Sequence, residues 1–407
     1  MRRDRAVALV VVAVVIVVAV VVAGRRRDGV LREKIAPVPS EVRENTPPKL
    51  QPAAVRLSVG GSSTCVTYDA AGVTNCSGTS AERWLFGRAF PRGHSRPIPT
   101  GDLRFSEIVS CVLWPNFAVD CWDTWPRSST AKHSSPDRYF PVATPTDPHV
   151  LQLAVHDRFA CALLSDQTVW CWGENAFGQL GDGTTIAREF PTQVIGLHDV
   201  REVSAGHGHT CAVKHGGAVW CWGRNEHGQL GDGTTTDAHA PKLTAIGDAV
   251  QVACGEAFSC ARRGDGSTMC WGSGKQGQNG DVTFGDRSVP TVVPIGAATR
   301  ELALGDDFAC ARGVDERVRC WGSSDHGQLG RGLVGPGTAT VAEIAPWPSG
   351  LVGARVSMIR AGARHACARL ELEGGSAIAC WGAGAHGELG RDRDRDASTP
   401  VMAILYP

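Results

Sequence analysis

Fourteen of the fifteen cysteines fall into pairs that keep one beat along the chain: Cys65/Cys76, Cys111/Cys121, Cys161/Cys171, Cys211/Cys221, Cys260/Cys270, Cys310/Cys320 and Cys367/Cys380. Partners are 11, 10, 10, 10, 10, 10 and 13 residues apart, and first members recur after 46, 50, 50, 49, 50 and 57 residues. A period near 50 belongs to propellers and helical arrays. Runs such as VREVSAG, HTCAVK and AVWCWG are short, β-rich and separated by Gly and polar turns, so each repeat reads as a small antiparallel sheet. A length of 407 residues with 43% hydrophobic residues is compatible with one large all-β unit.

If the Gly-containing segment between partners turns a hairpin at its midpoint, positions n and n+10 stand opposite on adjacent strands. Opposed Cα atoms about 4.5–5.5 Å apart are within disulfide reach. The fourteen paired cysteines are therefore expected to be disulfide-bonded within repeats, the alternative being paired free thiols packed as small hydrophobes. Zinc fits poorly, because two thiolates per repeat without a regular third and fourth ligand do not close a tetrahedron. Cys254 stands six residues before Cys260, where other repeats place Val59, Phe105, Val155, Ala205, Leu304 and Ala361, and is expected to be a buried free thiol.

Residues 1–24 differ in kind. Ala6 to Ala23 is an uninterrupted apolar run between Arg2, Arg3 and Arg5 on one side and Arg25, Arg26 and Arg27 on the other. Eighteen residues at about 1.5 Å each just span a bilayer, so a signal anchor is expected, with cleavage after Ala23 as the alternative. Residues 25–52 carry Pro37, Pro39, Pro47, Pro48 and Pro52 and suit an extended linker. Residues 53–407 form the repeat domain. Disulfides would place it outside the cytoplasm, periplasmic or at the cell surface, or secreted if the leader is cut. Zero formal net charge without a long basic tract disfavours nucleic acid as a partner.

The segments VSAGHGHTCAV, VWCWGRNEHGQLGDGTT and APKL resemble the family built from regulator of chromosome condensation repeats, here as an exported, bacterial-type member. The resemblance runs over about residues 53–405. It is strong in the third and fourth repeats, weaker in the fifth (CWGSGKQGQNG), and lost from the loops of the first two, where Cys76 precedes Ser77 and Cys121 precedes Trp-Asp. It implies a seven-bladed β-propeller, closed where the first strand near Ala53–Val59 meets the last segment, STPVMAIL; an open solenoid is the competing architecture. The expected fold is thus all-β, a propeller of about 50-residue repeats behind a transmembrane helix and a Pro-rich stalk.

Residues that recur at one register are expected to be scaffold. Trp122, Trp172, Trp222, Trp271, Trp321 and Trp381 suit packing between sheets, with sugar stacking as the alternative. Asp182 and Asp232 suit loop backbone bonding, calcium ligation by one Asp per loop being thin. His209 and His365 share a column with Phe159, Phe258 and Phe308, and His227, His326 and His386 share one with Phe177 and Gln276, which suits structure better than metal binding. No nucleophile elbow, metalloprotease helix, phosphate loop or dinucleotide fingerprint occurs in the sequence, so no catalytic residue, cofactor or metal is assigned.

The resemblance implies a monomeric protein-binding propeller that presents one ring face to an unknown protein partner. Carbohydrate binding, inhibition of an enzyme and guanine-nucleotide exchange are the alternatives. Trp84, Phe86, Trp114, Trp125, Tyr139 and Phe140, which break the repeat, are the candidate partner-binding residues, with the charged stretch Arg391 to Asp396 as a second candidate.

Overall fold

The computed structural model describes residues 56–68, 73–78, 102–105, 109–113, 119–123, 149–373, 375–391 and 395–403. The anchor and linker expected over residues 1–52 lie outside them. Among the described residues no helix is long and apolar enough to cross a membrane.

The described residues form an all-β propeller. Its first sheet comprises Arg56–Gly60, Ser63–Tyr68 and Val73–Gly78, and its second Asp102–Phe105, Val109–Leu113 and Val119–Asp123. Five four-stranded meanders follow. They begin with the strands Val150–His156, Val200–Ala205, Ala249–Cys254, Thr299–Leu304 and Arg355–Ala361 and end with Arg188–Gln193, Ala238–Leu243, Arg287–Val293, Gly335–Glu343 and Ala397–Met402. Uniform four-stranded blades are therefore found in five repeats, while the first two show three strands among the described residues. Those two lack the stretch that elsewhere carries the chain from third to fourth strand, Gly-Gln-Leu-Gly in the third, fourth and sixth repeats, Gly-Gln-Asn-Gly in the fifth and Gly-Glu-Leu-Gly in the seventh.

The first strand of each sheet packs against the first strands of its neighbours. Leu57 of the first sheet shares a cluster with Ile378, Leu389, Ala397 and Ala403 of the last repeat, so the two ends of the domain meet by packing, each within its own sheet. Main-chain bonds join the same sheets, Ala363 N–H donating to Gly61 O at 2.9 Å.

The spacing of cysteines translates directly into register. In all seven hairpins the second strand's cysteine stands opposite the third strand's, from Cys65 with Cys76 and Cys111 with Cys121 to Cys367 with Cys380. Cys161–Cys171, Cys211–Cys221, Cys260–Cys270, Cys310–Cys320 and Cys367–Cys380 are bonded, with Cα atoms 4.0–4.1 Å apart. Cys65 and Cys111 are disulfide-bonded as well. The longer spacing of the last pair is absorbed by a longer hairpin, in which Leu372 pairs with Gly375. Cys254 is a buried free thiol.

Candidate functional site

Most of the recurring loop is consumed by contacts between sheets. The indole N–H groups of Trp222, Trp271, Trp321 and Trp381 donate to the main-chain carbonyls of Gln179, Gln229, Gln278 and Gln328 in the preceding repeat, at 2.8–2.9 Å. These four indoles are fully buried, which fits packing between sheets and leaves no ring face for a sugar. The glycine two residues after each of these glutamines makes room for the ring. At Gly231, φ is +68° and a Cβ would stand 2.7 Å from Trp271 Nε1, so a side chain there meets both strain and a clash.

Polar members of the loop are equally occupied. Asn175 Nδ2 donates to Asp182 Oδ1, Thr184 O and Ile186 O, while its Oδ1 accepts from Leu180 N–H, and Asn225 repeats the pattern with Asp232, Thr234, Thr236 and Leu230. Asp182 also accepts from Thr184 and from Arg188 Nε at 2.7 Å. Its oxygens are aimed at protein donors, an arrangement that organises the loop.

Subtracting this scaffold leaves the central channel, a cavity of about 570 Å³ lined by first strands of the first and the third to seventh sheets. Gln152, Glu202, Gln251 and Glu301 occupy one register of successive first strands and reach sideways to the next sheet. Gln152 donates to Val203 O at 3.0 Å and accepts from Val203 N–H at 3.1 Å; Gln251 does the same with Leu302 at 3.1 and 3.0 Å. Each amide thus closes a two-point clamp. Glu301 accepts from Ile359 N–H at 3.1 Å and is neutralised by Arg312 at 3.1 Å and Arg360 at 2.6 Å. Glu202 accepts from the Val252 main chain, and its burial outweighs the pull of Arg201 and Arg262, pushing its carboxyl up to about 7.

At one mouth of the channel the chain turns from first to second strands, and main-chain bonds run from sheet to sheet. His207 N–H donates to Glu256 O, Glu256 N–H to Asp306 O, and Asp306 N–H to Ala363 O, at 2.9–3.1 Å. The side chains on this common frame differ from repeat to repeat: Asp157, His207, Glu256, Asp306 and Arg364 line the mouth together. His156 meets His207 edge to face at 6.2 Å, and burial together with the nearby His207 lowers His156 to about 4. Asp307 accepts from Gln278 Nε2 at 3.1 Å, and burial with the neighbouring charges of Glu256 and Asp325 raises it to about 6.

The aromatic candidates Trp84, Phe86, Trp114, Trp125, Tyr139 and Phe140 all lie outside the described residues. Of the stretch Arg391 to Asp396, Asp396 caps a loop by accepting from Gly384 N–H at 3.0 Å and pairs with His326 at 2.9 Å across the sheet boundary. His227 pairs in the same way with Asp286 at 2.8 Å, so these two histidines join neighbouring repeats, while His386 pairs with Glu388 of its own loop at 3.1 Å. His209, Cys211 and Cys254 converge within 4.8 Å, but Cys211 is bonded to Cys221 and is not available as a thiolate ligand. The channel clamp was missed at the sequence level although its signal was present: Gln152, Glu202, Gln251 and Glu301 recur after 50, 49 and 50 residues, as regularly as the cysteines.

Solved structures of the same architecture support the fold. Prp20p from Saccharomyces cerevisiae, described with its binding to Gsp1p and histones, aligns at 20% identity over 76% of this chain and 80% of that one, with a TM-score of 0.64. Human WBSCR16 aligns at 19% identity over 87% and 83%, TM-score 0.61. The entire ectodomain of the Physcomitrella patens receptor kinase CR4 aligns at 20% identity over 82% and 74%, TM-score 0.50. No curated protein matches the sequence significantly. The family described as RCC1-like domain matches residues 123–405, more than half of the chain, and with the repeat, the loop and the sheets in agreement, the protein belongs to that family.

Proposed function

We propose that the protein is a non-enzymatic binding scaffold, a closed ring of seven blades that presents its mouth face to a protein partner. It works outside the cytoplasm as a monomer tethered through Ala6 to Ala23. The observation that carries this reading is the contrast at the mouth. Asp157, His207, Glu256, Asp306 and Arg364 differ in chemistry while the frame beneath them repeats. Variable side chains on a rigid repeated frame are what recognition requires.

Charges also gather at the opposite end of the sheets, as His207 and Asp157 do at the mouth at 3.6 Å, so experiment has to tell the two ends apart. At the opposite end the charges pair among themselves: Arg263 with Asp248 at 2.7 Å, Arg317 with Glu343 at 3.1 Å, Arg319 with Asp315 at 2.6 Å and Arg355 with Glu316 at 3.6 Å. The cysteine bridges support an oxidising compartment. A receptor-kinase ectodomain of similar fold is a precedent for such a propeller outside the cell. Trp84, Phe86, Trp114, Trp125, Tyr139 and Phe140 add aromatic anchors to the partner surface.

The experiment is capture of partners by repeat domain produced in an oxidising compartment, followed by charge removal at each end. Glu256→Ala with Arg364→Ala is expected to weaken the captured complex at least tenfold, the order of one lost anchor of about 1.4 kcal/mol. Asp248→Ala with Glu343→Ala should leave it unchanged. Loss confined to the second pair would place binding on the other face and overturn the choice made here.

A further inference from the structure

Cys254 is the one place where the repeat exchanges an apolar residue for a thiol, at a register held elsewhere by Val59, Phe105, Val155, Ala205, Leu304 and Ala361. It stands on the first strand of the fifth sheet, facing the disulfide of the fourth. Its Sγ lies within 4.8 Å of Cys211 Sγ and of a His209 ring nitrogen, and donates to Ser204 O at 3.5 Å. Ser204 is the register partner of Cys211, so thiol and disulfide share one small buried space. Ser259 Oγ bridges the group, at 3.9 Å from Cys254 Sγ, 3.7 Å from Cys211 Sγ and 3.0 Å from His209 Nε2.

Part of this arrangement is ordinary scaffold. His365 Nε2, Thr64 Oγ1 and Cys367 Sγ repeat the histidine, hydroxyl and disulfide sulfur at the junction of the seventh and first sheets, with Thr64 at 2.9 and 3.5 Å from the other two. Position 59 there is Val, so the added feature between the fourth and fifth sheets is the thiol alone.

We propose that Cys254 is a resolving thiol for the Cys211–Cys221 disulfide, moving the bridge from within one sheet to between two. Cys254 loses its proton and its thiolate attacks Cys211 Sγ. The Cys211–Cys221 bond breaks as the Cys211–Cys254 bond forms, and Cys221 leaves as a thiolate that takes up a proton. One disulfide and one thiol enter and leave, so no oxidant or reductant is consumed. The product staples the fourth sheet to the fifth. Burial raises the Cys254 thiol to about 12, which keeps the exchange slow at neutral pH and makes its rate follow the thiolate fraction.

Full-length oxidised protein, held without reductant at increasing pH, is quenched in acid, labelled with N-ethylmaleimide in denaturant and digested. Label is expected to move from Cys254 to Cys221 while a Cys211–Cys254 peptide appears, about tenfold faster for each pH unit below the thiol's titration and at a rate independent of protein concentration. Cys254→Ala, which places the residue found at 205 and 361 in this register, should leave Cys221 unlabelled. A Cys221→Ala variant treated with oxidised glutathione tests the geometry separately and should form the Cys211–Cys254 bond. Label that stays on Cys254 at every pH, equal labelling of Cys310 and Cys320, or no bond in the Cys221→Ala variant would each overturn the assignment.

Discussion

Replacing Glu202 by Gln should stabilise the propeller, with no gain below about pH 4.5 and a gain that grows as pH rises towards 7. The reason is visible in its neighbours: the amides of Gln152 and Gln251 both donate to and accept from the next strand. An ionised Glu202 can accept from Val252 but cannot donate to its carbonyl; a protonated one can do both. Burial raises the carboxyl from 4.5 to about 7, so the folded protein holds a proton that the unfolded chain has already lost. The contribution is fully present below about pH 4.5, falls as pH rises towards 7, and is gone above it. A shift of this size corresponds to at most about 3 kcal/mol, and water in the channel cuts the expected effect to roughly 1–2 kcal/mol. In a thermal melt with disulfides intact, Glu202→Gln should therefore gain roughly 2–4 °C at about pH 8 and match the wild type at about pH 4. Glu301→Gln, two repeats along, should do the opposite and destabilise at about pH 8, because it strands Arg312 and Arg360. A Glu202→Gln variant that melts lower at about pH 8, or keeps the wild-type pH slope, would refute the reasoning.

Gly231→Ala should cost about 2 kcal/mol or more, against about 1 kcal/mol for Gly296→Ala. Both glycines have positive φ, but a Cβ on the first meets the Trp271 ring and one on the second meets nothing within 4 Å, so equal melting temperatures would deny the clash. Removing the Cys310–Cys320 bridge with a double Ala substitution opens a loop of sequence separation 10 and should cost about 2–3 kcal/mol, read as a lower denaturation midpoint. With a partner in hand, Trp84→Ala, Trp114→Ala and Trp125→Ala should each weaken binding by about 2 kcal/mol while Phe177→Ala does not. Folded variants of the first three that bind like the parent would remove the aromatic set from the interface.

The hairpin register was legible because a disulfide demands opposed residues: a spacing of ten around a Gly turn leaves few other solutions. The tryptophan column was legible as packing but not as a hydrogen bond, since its acceptor is a main-chain carbonyl some 43 residues earlier, set by where one loop settles against the next sheet. The channel clamp stayed hidden for a related reason. On an isolated strand Gln152, Glu202 and Gln251 read as solvent-facing polar positions. Only the approach of the next first strand shows that they face main-chain groups.

The same columns separate what the fold needs from what a partner could read. Where a residue recurs, the structure gives it a main-chain or ring partner, within its own loop for Asn225 and across to the neighbouring repeat for Gln229 and Trp271. Where the residue changes along a column, as from His207 to Glu256 to Asp306 to Ala363, the main-chain bonds beneath continue regardless. Substitution at those positions therefore carries little cost in stability and changes the charge offered at the mouth. Glu202 and Cys254 belong to neither class. Each departs from its column inside the packed frame, a carboxyl among amides and a thiol among apolar groups, and each brings chemistry that the other copies lack. Departures buried in the frame are accordingly where the fold would respond to pH and to thiol–disulfide exchange, and departures at the mouth are the positions the proposed partner would read.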